Sequence, residues 1–109
     1  MKTEEELKTI KEALSAVHKP LYTLEIDLED DEMTIATIYL KKYDRITLSA
    51  VQKLATSGDA LKATEAFLKA TYVGGDDLSL VLNNLDALRS CEQAVVDMIS
   101  VKAAKLSKN

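Results

Sequence analysis

Tryptophan is absent from this 109-residue chain, phenylalanine occurs once, and aromatic residues make up 5% of the total. Nucleic-acid binders that grip single strands stack bases on several aromatic rings, and four tyrosines with one phenylalanine are too few to build such a platform. Basic charge is also lacking: 14 Lys and Arg stand against 18 Asp and Glu, for a net charge of −4. Phosphate recognition depends on cationic surface, so nucleic acid is not expected as a partner. One cysteine excludes an internal disulfide and a cysteine-based zinc site, and one histidine leaves little for acid–base or metal chemistry. No run approaches the ~18 apolar residues of a membrane-spanning helix. The opening residues Met1-Lys2-Thr3-Glu4-Glu5-Glu6 are too polar for a secretion signal, so a cytoplasmic protein is expected.

What is present is ordinary globular material, with 47% hydrophobic and 29% charged residues. That balance supports a folded chain, and the length fits one domain spanning residues 1–109. A substrate domain beside a cofactor domain is excluded by size.

The periodicities divide the chain into a helix-plus-hairpin part, residues 1–40, and a helical part, residues 41–109. Thr3 with Glu6 has the form of a capping box, and Leu7, Ile10, Ala13, Leu14 and Val17 follow at helical spacing up to Pro20. The period then becomes two: Tyr22, Leu24, Ile26 and Leu28 alternate with Thr23, Glu25 and Asp27. After the acidic run Glu29 to Glu32, β-branched residues recur from Met33 to Leu40, which predicts a β-hairpin. Asp44 or Thr47 is placed to cap a helix bearing Leu48, Val51, Leu54 and Ala55. Ser57-Gly58 ends that helix, and Asp59 caps the next, whose face of Ala60, Leu61, Ala63, Thr64, Phe67, Leu68 and Thr71 is rich in small residues. Tyr72-Val73-Gly74-Gly75-Asp76-Asp77 then reads as a helix stop followed by a helix start, with positive φ or close approach to another surface at the glycines and Asp76 and Asp77 as caps. Asn83-Asn84 divides a short helix from a long one carrying Leu88, Cys91, Val95, Met98 and Ile99, and Lys102 to Asn109 is expected to fray. The sum is an α+β fold: an N-terminal helix, a β-hairpin, and about four helical segments packed on one face of a small antiparallel sheet. An isolated two-stranded sheet is marginal in water, so either helices cover it or a second copy extends it, leaving room for a homo-oligomer.

Catalytic, cofactor and metal sites are not expected. His18, at the end of the first helix beside Lys19-Pro20, reads as a helix C-terminal residue. Cys91, on an apolar stripe, reads as a buried thiol. Glu29 to Glu32 lacks the spacing and central glycine of a calcium loop. Gly74 to Asp77 carries the letters of the diguanylate cyclase loop without the much larger α/β domain that loop requires. Lys41, Lys42 and Arg45 form the densest basic cluster before the C-terminus, beside Tyr39 and Tyr43. In a chain of net negative charge this cluster suits a strand-end cap or an acidic protein surface better than nucleic acid.

Taken together, Leu40-Lys41-Lys42-Tyr43-Asp44-Arg45, Leu48-Ser49-Ala50, Leu61-Lys62-Ala63-Thr64-Glu65 and Tyr72-Val73-Gly74-Gly75-Asp76 resemble a family of small tailed-bacteriophage and prophage proteins similar to tail assembly chaperones. The resemblance covers about Leu21 to Leu106. Tyr43 stands where the pattern usually has proline, Tyr72 where tryptophan is common, and the segment after Asp77 is shorter than usual. The resemblance implies a non-enzymatic protein in the bacterial host cytoplasm that binds tail tube or tape-measure subunits during virion assembly, with related chaperones often having a longer frameshifted form. A permanent virion component, such as a head–tail connector or adaptor, and a regulatory protein binding a host factor are the alternatives. Partner contacts are expected at Tyr39, Lys41, Lys42, Tyr43 and Arg45, and at the Tyr72, Gly74, Gly75 and Asp76 junction.

Overall fold

The computed structural model describes residues 1–28, 30 and 32–99. The expected fraying of Lys102 to Asn109 lies outside the described residues, as do Glu29 and Asp31 of the acidic run. In chain order the elements are α1 (Glu4–Val17), β1 (Leu21–Asp27), β2 (Ile35–Lys41), α2 (Arg45–Thr56), α3 (Ala60–Thr71), β3 (Tyr72–Gly75), α4 (Ser79–Leu82) and α5 (Leu85–Ile99). This is the α+β class expected, with four helical segments after the hairpin.

Local signals place most of these boundaries. Thr3 Oγ1 accepts from the Glu6 N–H at 3.2 Å while Glu6 Oε1 accepts from the Thr3 N–H at 3.3 Å, completing the capping box of α1. Asp44 accepts from the Thr47 N–H at 2.7 Å and Asp59 from the Lys62 N–H at 3.1 Å, so each carboxylate satisfies an otherwise orphaned first-turn donor of α2 and α3. Asn84 does two jobs: its Oδ1 accepts from the Ala87 N–H at the start of α5, and its Nδ2 donates to the Leu28 carbonyl at 2.8 Å. That second bond ties the α4–α5 break to the end of β1.

The sheet has three antiparallel strands in the order β1-β2-β3, one more than the hairpin expected. Leu24 pairs with Ile38 and Ile26 with Ala36 across β1 and β2. On the other side Tyr39 pairs with Gly74 and Ile38 with Gly75, and a bulge between Tyr39 and Leu40 brings Leu40 opposite Tyr72. The segment does lie between α3 and α4, as expected, but Tyr72–Gly75 joins the sheet as a strand where the sequence alone predicts only a helix stop and start. Four residues are too few to show a strand period, and their extended form is imposed by the open edge of β2, which needs partners for its backbone groups.

The alternation of strand side chains gives the sheet two unlike faces. Ile26, Ala36, Ile38 and Leu40 are buried on the inner face and pack with Phe67 and Leu68 of α3, Val81 of α4, and Leu88, Cys91 and Val95 of α5. Phe67 is fully buried, and its ring lies 5.8 Å from that of Tyr43 at an interplanar angle of 54°, which fixes the turn into α2 against α3. Removing the Phe67 ring would leave a cavity costing about 3–5 kcal/mol. The outer face is crossed by α1, none of whose residues is fully buried. Helix and sheet meet at Gly74, where a Cβ would sit 2.9 Å from Leu14 Cδ1 and 3.3 Å from Ile10 Cγ2.

Candidate functional site

The Gly-Gly-Asp segment is a structural joint. Of the two adjacent glycines Gly75 alone has positive φ, +103°, while Gly74 takes the other expected role, close approach, against Leu14 and Ile10. A Cβ on Gly75 would approach the Thr37 carbonyl oxygen to 2.5 Å, because β3 here lies directly against β2. At the next position Asp76 turns inward and is 1% exposed. Its N–H donates to the Thr37 carbonyl at 2.8 Å, its Oδ2 accepts from the Thr37 N–H at 2.8 Å, and its Oδ1 accepts from the Lys2 N–H at 2.9 Å. Asp76 thus caps no helix, contrary to the sequence expectation. Asp77 does take a capping-type bond, accepting from the Ser79 N–H at 3.0 Å, and that bond holds its carboxyl below the usual aspartate range.

Two tyrosines complete the joint. The Tyr72 hydroxyl donates to the Asp76 carbonyl at 2.8 Å, and the Tyr39 hydroxyl donates to the Leu7 carbonyl of α1 at 3.1 Å. Burial is the first cause of the upward shift of both phenols, and the nearby carboxylates add to it: Asp76 and Glu25 for Tyr39, Asp77 and Asp76 for Tyr72. Both therefore act as hydrogen-bond donors that fasten backbone.

Tyr39, Gly75 and Asp76 are buried within this joint. Tyr72 and Gly74 are half-buried, and Tyr43 is half-buried against Phe67. Lys41, Lys42 and Arg45 are exposed.

Around those three cations the structure adds Ile46, 81% exposed in the first turn of α2. Arg45, Ile46, Ser49, Ala50 and Lys53 line one shallow recess on the solvent side of α2. Two cations, Arg45 and Lys53, thus share the recess with this apolar knob, Lys41 and Lys42 are exposed on the segment leading into α2, and the Asp44 carboxylate is engaged as the α2 cap. Sequence reasoning missed Ile46. The available signal was its phase: it falls off the Leu48, Val51, Leu54 and Ala55 stripe, and an apolar residue off the core stripe of a surface helix is exposed.

A second recess, of about 270 Å³, lies between α2, α3 and α5 and is lined by Val51, Ala55, Ala63, Val95, Val96 and Ile99 among others. The small residues expected on the α3 face border it, and it ends at Ile99, where the described residues end.

Chemistry is sparse. His18 sits at the α1 C-cap, where its N–H donates to the Leu14 carbonyl. The Cys91 thiol is 1% exposed, donates to the Ala87 carbonyl at 3.3 Å, and is pushed up to about 11 by burial. Among the described residues there is no group of three or more His, Cys, Asp or Glu side chains able to hold a metal ion. No described helix is long and apolar enough to cross a membrane.

Comparison with protein-family models, with curated proteins and with solved structures finds no match to this chain.

Proposed function

We propose that the chain is a non-enzymatic binding protein of the tail assembly chaperone kind, which holds a tail tube or tape-measure subunit during virion assembly. The observation that carries the reading is the basic corner at the start of α2. Ile46 is 81% exposed in a recess shared with Arg45 and Lys53, and Lys41 and Lys42 are exposed just before α2, on a chain whose net charge is −4. An exposed aliphatic side chain beside cations is poorly placed for the fold and well placed for a partner with an apolar socket and an acidic rim. The block resemblance around Leu40 to Arg45 supplies the class of partner.

Co-expression with the tail tube or tape-measure subunit, followed by size exclusion, tests the proposal. The expected result is co-elution that Ile46→Glu abolishes and Lys42→Glu with Arg45→Glu weakens strongly, with far-UV circular dichroism unchanged in both variants. Separate elution of the wild-type pair at micromolar concentration rejects it. Stoichiometric presence of the chain in purified particles would instead assign a permanent connector.

A further inference from the structure

The two edges of the sheet are built differently. The β3 edge is four residues long, bulged against β2, and met by α1 at Gly74. Such an edge is a poor template for a further strand. The β1 edge is seven residues long, has no break in its pairing with β2, and contains neither proline nor lysine between Leu21 and Asp27.

Hydrogen-bond direction shows which β1 groups face outward. The Leu28 N–H donates to the Thr34 carbonyl at 2.9 Å, one step beyond the β1–β2 register, so Leu28, Ile26, Leu24 and Tyr22 are the residues whose backbone bonds β2. Thr23 and Glu25, on the alternate phase, direct N–H and C=O to the open side. Both are exposed, and among the described residues no bond from outside the sheet reaches their backbone.

We propose that a second copy of this chain occupies that edge, its β1 antiparallel to the first about a twofold axis at Leu24, giving a six-stranded sheet. The sequence of β1 is self-complementary in this register alone. On the inner face Tyr22 meets Ile26 of the other copy and Leu24 meets Leu24, covering side chains that are half-exposed at Tyr22 and Leu24 in the single chain. On the outer face Thr23 meets Glu25. A two-residue slip one way opposes Glu25 to Glu25, and a slip the other way sets Leu21 against Glu25; either slip pairs five residues of β1 in place of seven. A one-residue slip sets apolar against polar faces. Lys8 and Lys11 of α1, with Glu4, line the same outer cleft as Thr23 and Glu25, so each copy brings two cations against one further carboxylate to the side of the sheet that carries Glu25.

Sedimentation equilibrium of the full chain, from micromolar to millimolar concentration, should show a reversible species of twice 12.0 kDa. Thr23→Pro removes only an outward N–H, so it should weaken association by at least ~10-fold while leaving the circular dichroism spectrum unchanged. Leu24→Cys should form an intermolecular disulfide under mild oxidation, because a non-hydrogen-bonded pair on a twofold holds its Cβ atoms about 5 Å apart. Tyr22→Cys should not, since it faces Ile26, and the buried Cys91 does not interfere. A chain that stays monomeric throughout overturns the proposal. A dimer in which Leu24→Cys fails to cross-link overturns it equally, and that variant decides the matter if Thr23→Pro does not fold.

Discussion

Both backbone polar groups of Thr37 bond to Asp76, the N–H to the carboxylate and the carbonyl to the Asp76 N–H, each at 2.8 Å. Thr37 and Asp76 occupy the step after the Ile38–Gly75 pair. The Asp76 side chain therefore stands in for the backbone acceptor that a longer β3 would have offered. Its other oxygen accepts from the Lys2 N–H, so one buried carboxylate joins the start of the chain, the middle strand and the end of β3.

Asp76→Ala should accordingly be costly. It leaves the Thr37 N–H without its acceptor and releases Lys2, and hydrogen bonds to a charged acceptor contribute about 1.5–3 kcal/mol each. A loss of about 3 kcal/mol is expected in urea unfolding, with faster amide exchange at Thr37 and through the first turn of α1. An unchanged unfolding midpoint would remove Asp76 from the structural account.

The three glycines should respond in a fixed order. Gly75→Ala combines positive φ with a Cβ 2.5 Å from a backbone oxygen that cannot retreat without breaking the ladder, so several kcal/mol is expected. At Gly74 the nearest atom is the end of the Leu14 side chain, which can rotate, and Gly74→Ala should cost about 1–2 kcal/mol by displacing α1. Gly58 has φ +85° with nothing within 4 Å of an added Cβ, so Gly58→Ala should cost only the left-handed backbone strain, about 1 kcal/mol. Thermal or urea unfolding of the three variants checks the order, and Gly58→Ala as the worst of them would overturn it.

Cys91 gives the pH dependence. Its thiol has an ordinary value of 9.0 and is raised in the fold to about 11, chiefly by burial. The folded state therefore holds the proton where the unfolded chain has released it. The contribution is fully present below pH 9.0 and is lost as pH rises towards about 11. Stability should fall across that alkaline window more steeply in the wild type than in Cys91→Ala. Modification by a thiol reagent at neutral pH should follow global unfolding, and rapid labelling of the native protein would contradict the burial.

Much of this architecture was legible because its signals are local. Thr3 with Glu6, Asp44 and Asp59 each satisfy donors within one turn of themselves, and the alternation from Tyr22 to Leu28 needs only the strand that carries it. β3 was illegible because Tyr72-Val73-Gly74-Gly75 has no period of its own, and its pairing partner lies far back in the sequence. Asp76 read as a cap for the same reason: a carboxylate after a glycine pair is a common helix start, and only the unpaired edge at Thr37 redirects it. Of the expected contact residues, Lys41, Lys42 and Arg45 stayed at the surface, since long cations resist burial. Tyr39 went inside because strand alternation carries it under α1, where the Leu7 carbonyl takes its hydroxyl.

The bond between Lys2 and Asp76 spans 74 positions of sequence. During synthesis the ribosome releases α1 and the β1–β2 hairpin well before Gly74 and Asp76 exist to receive them. Until then α1 has the Tyr39–Leu7 bond but neither the Gly74 contact nor the Asp76 bond to hold it over the hairpin, and closing so long a loop is slow compared with forming the helices that follow. Full docking of α1 thus waits for β3, and a nascent chain stalled before residue 76 would hold that helix by Tyr39 alone of these three ties.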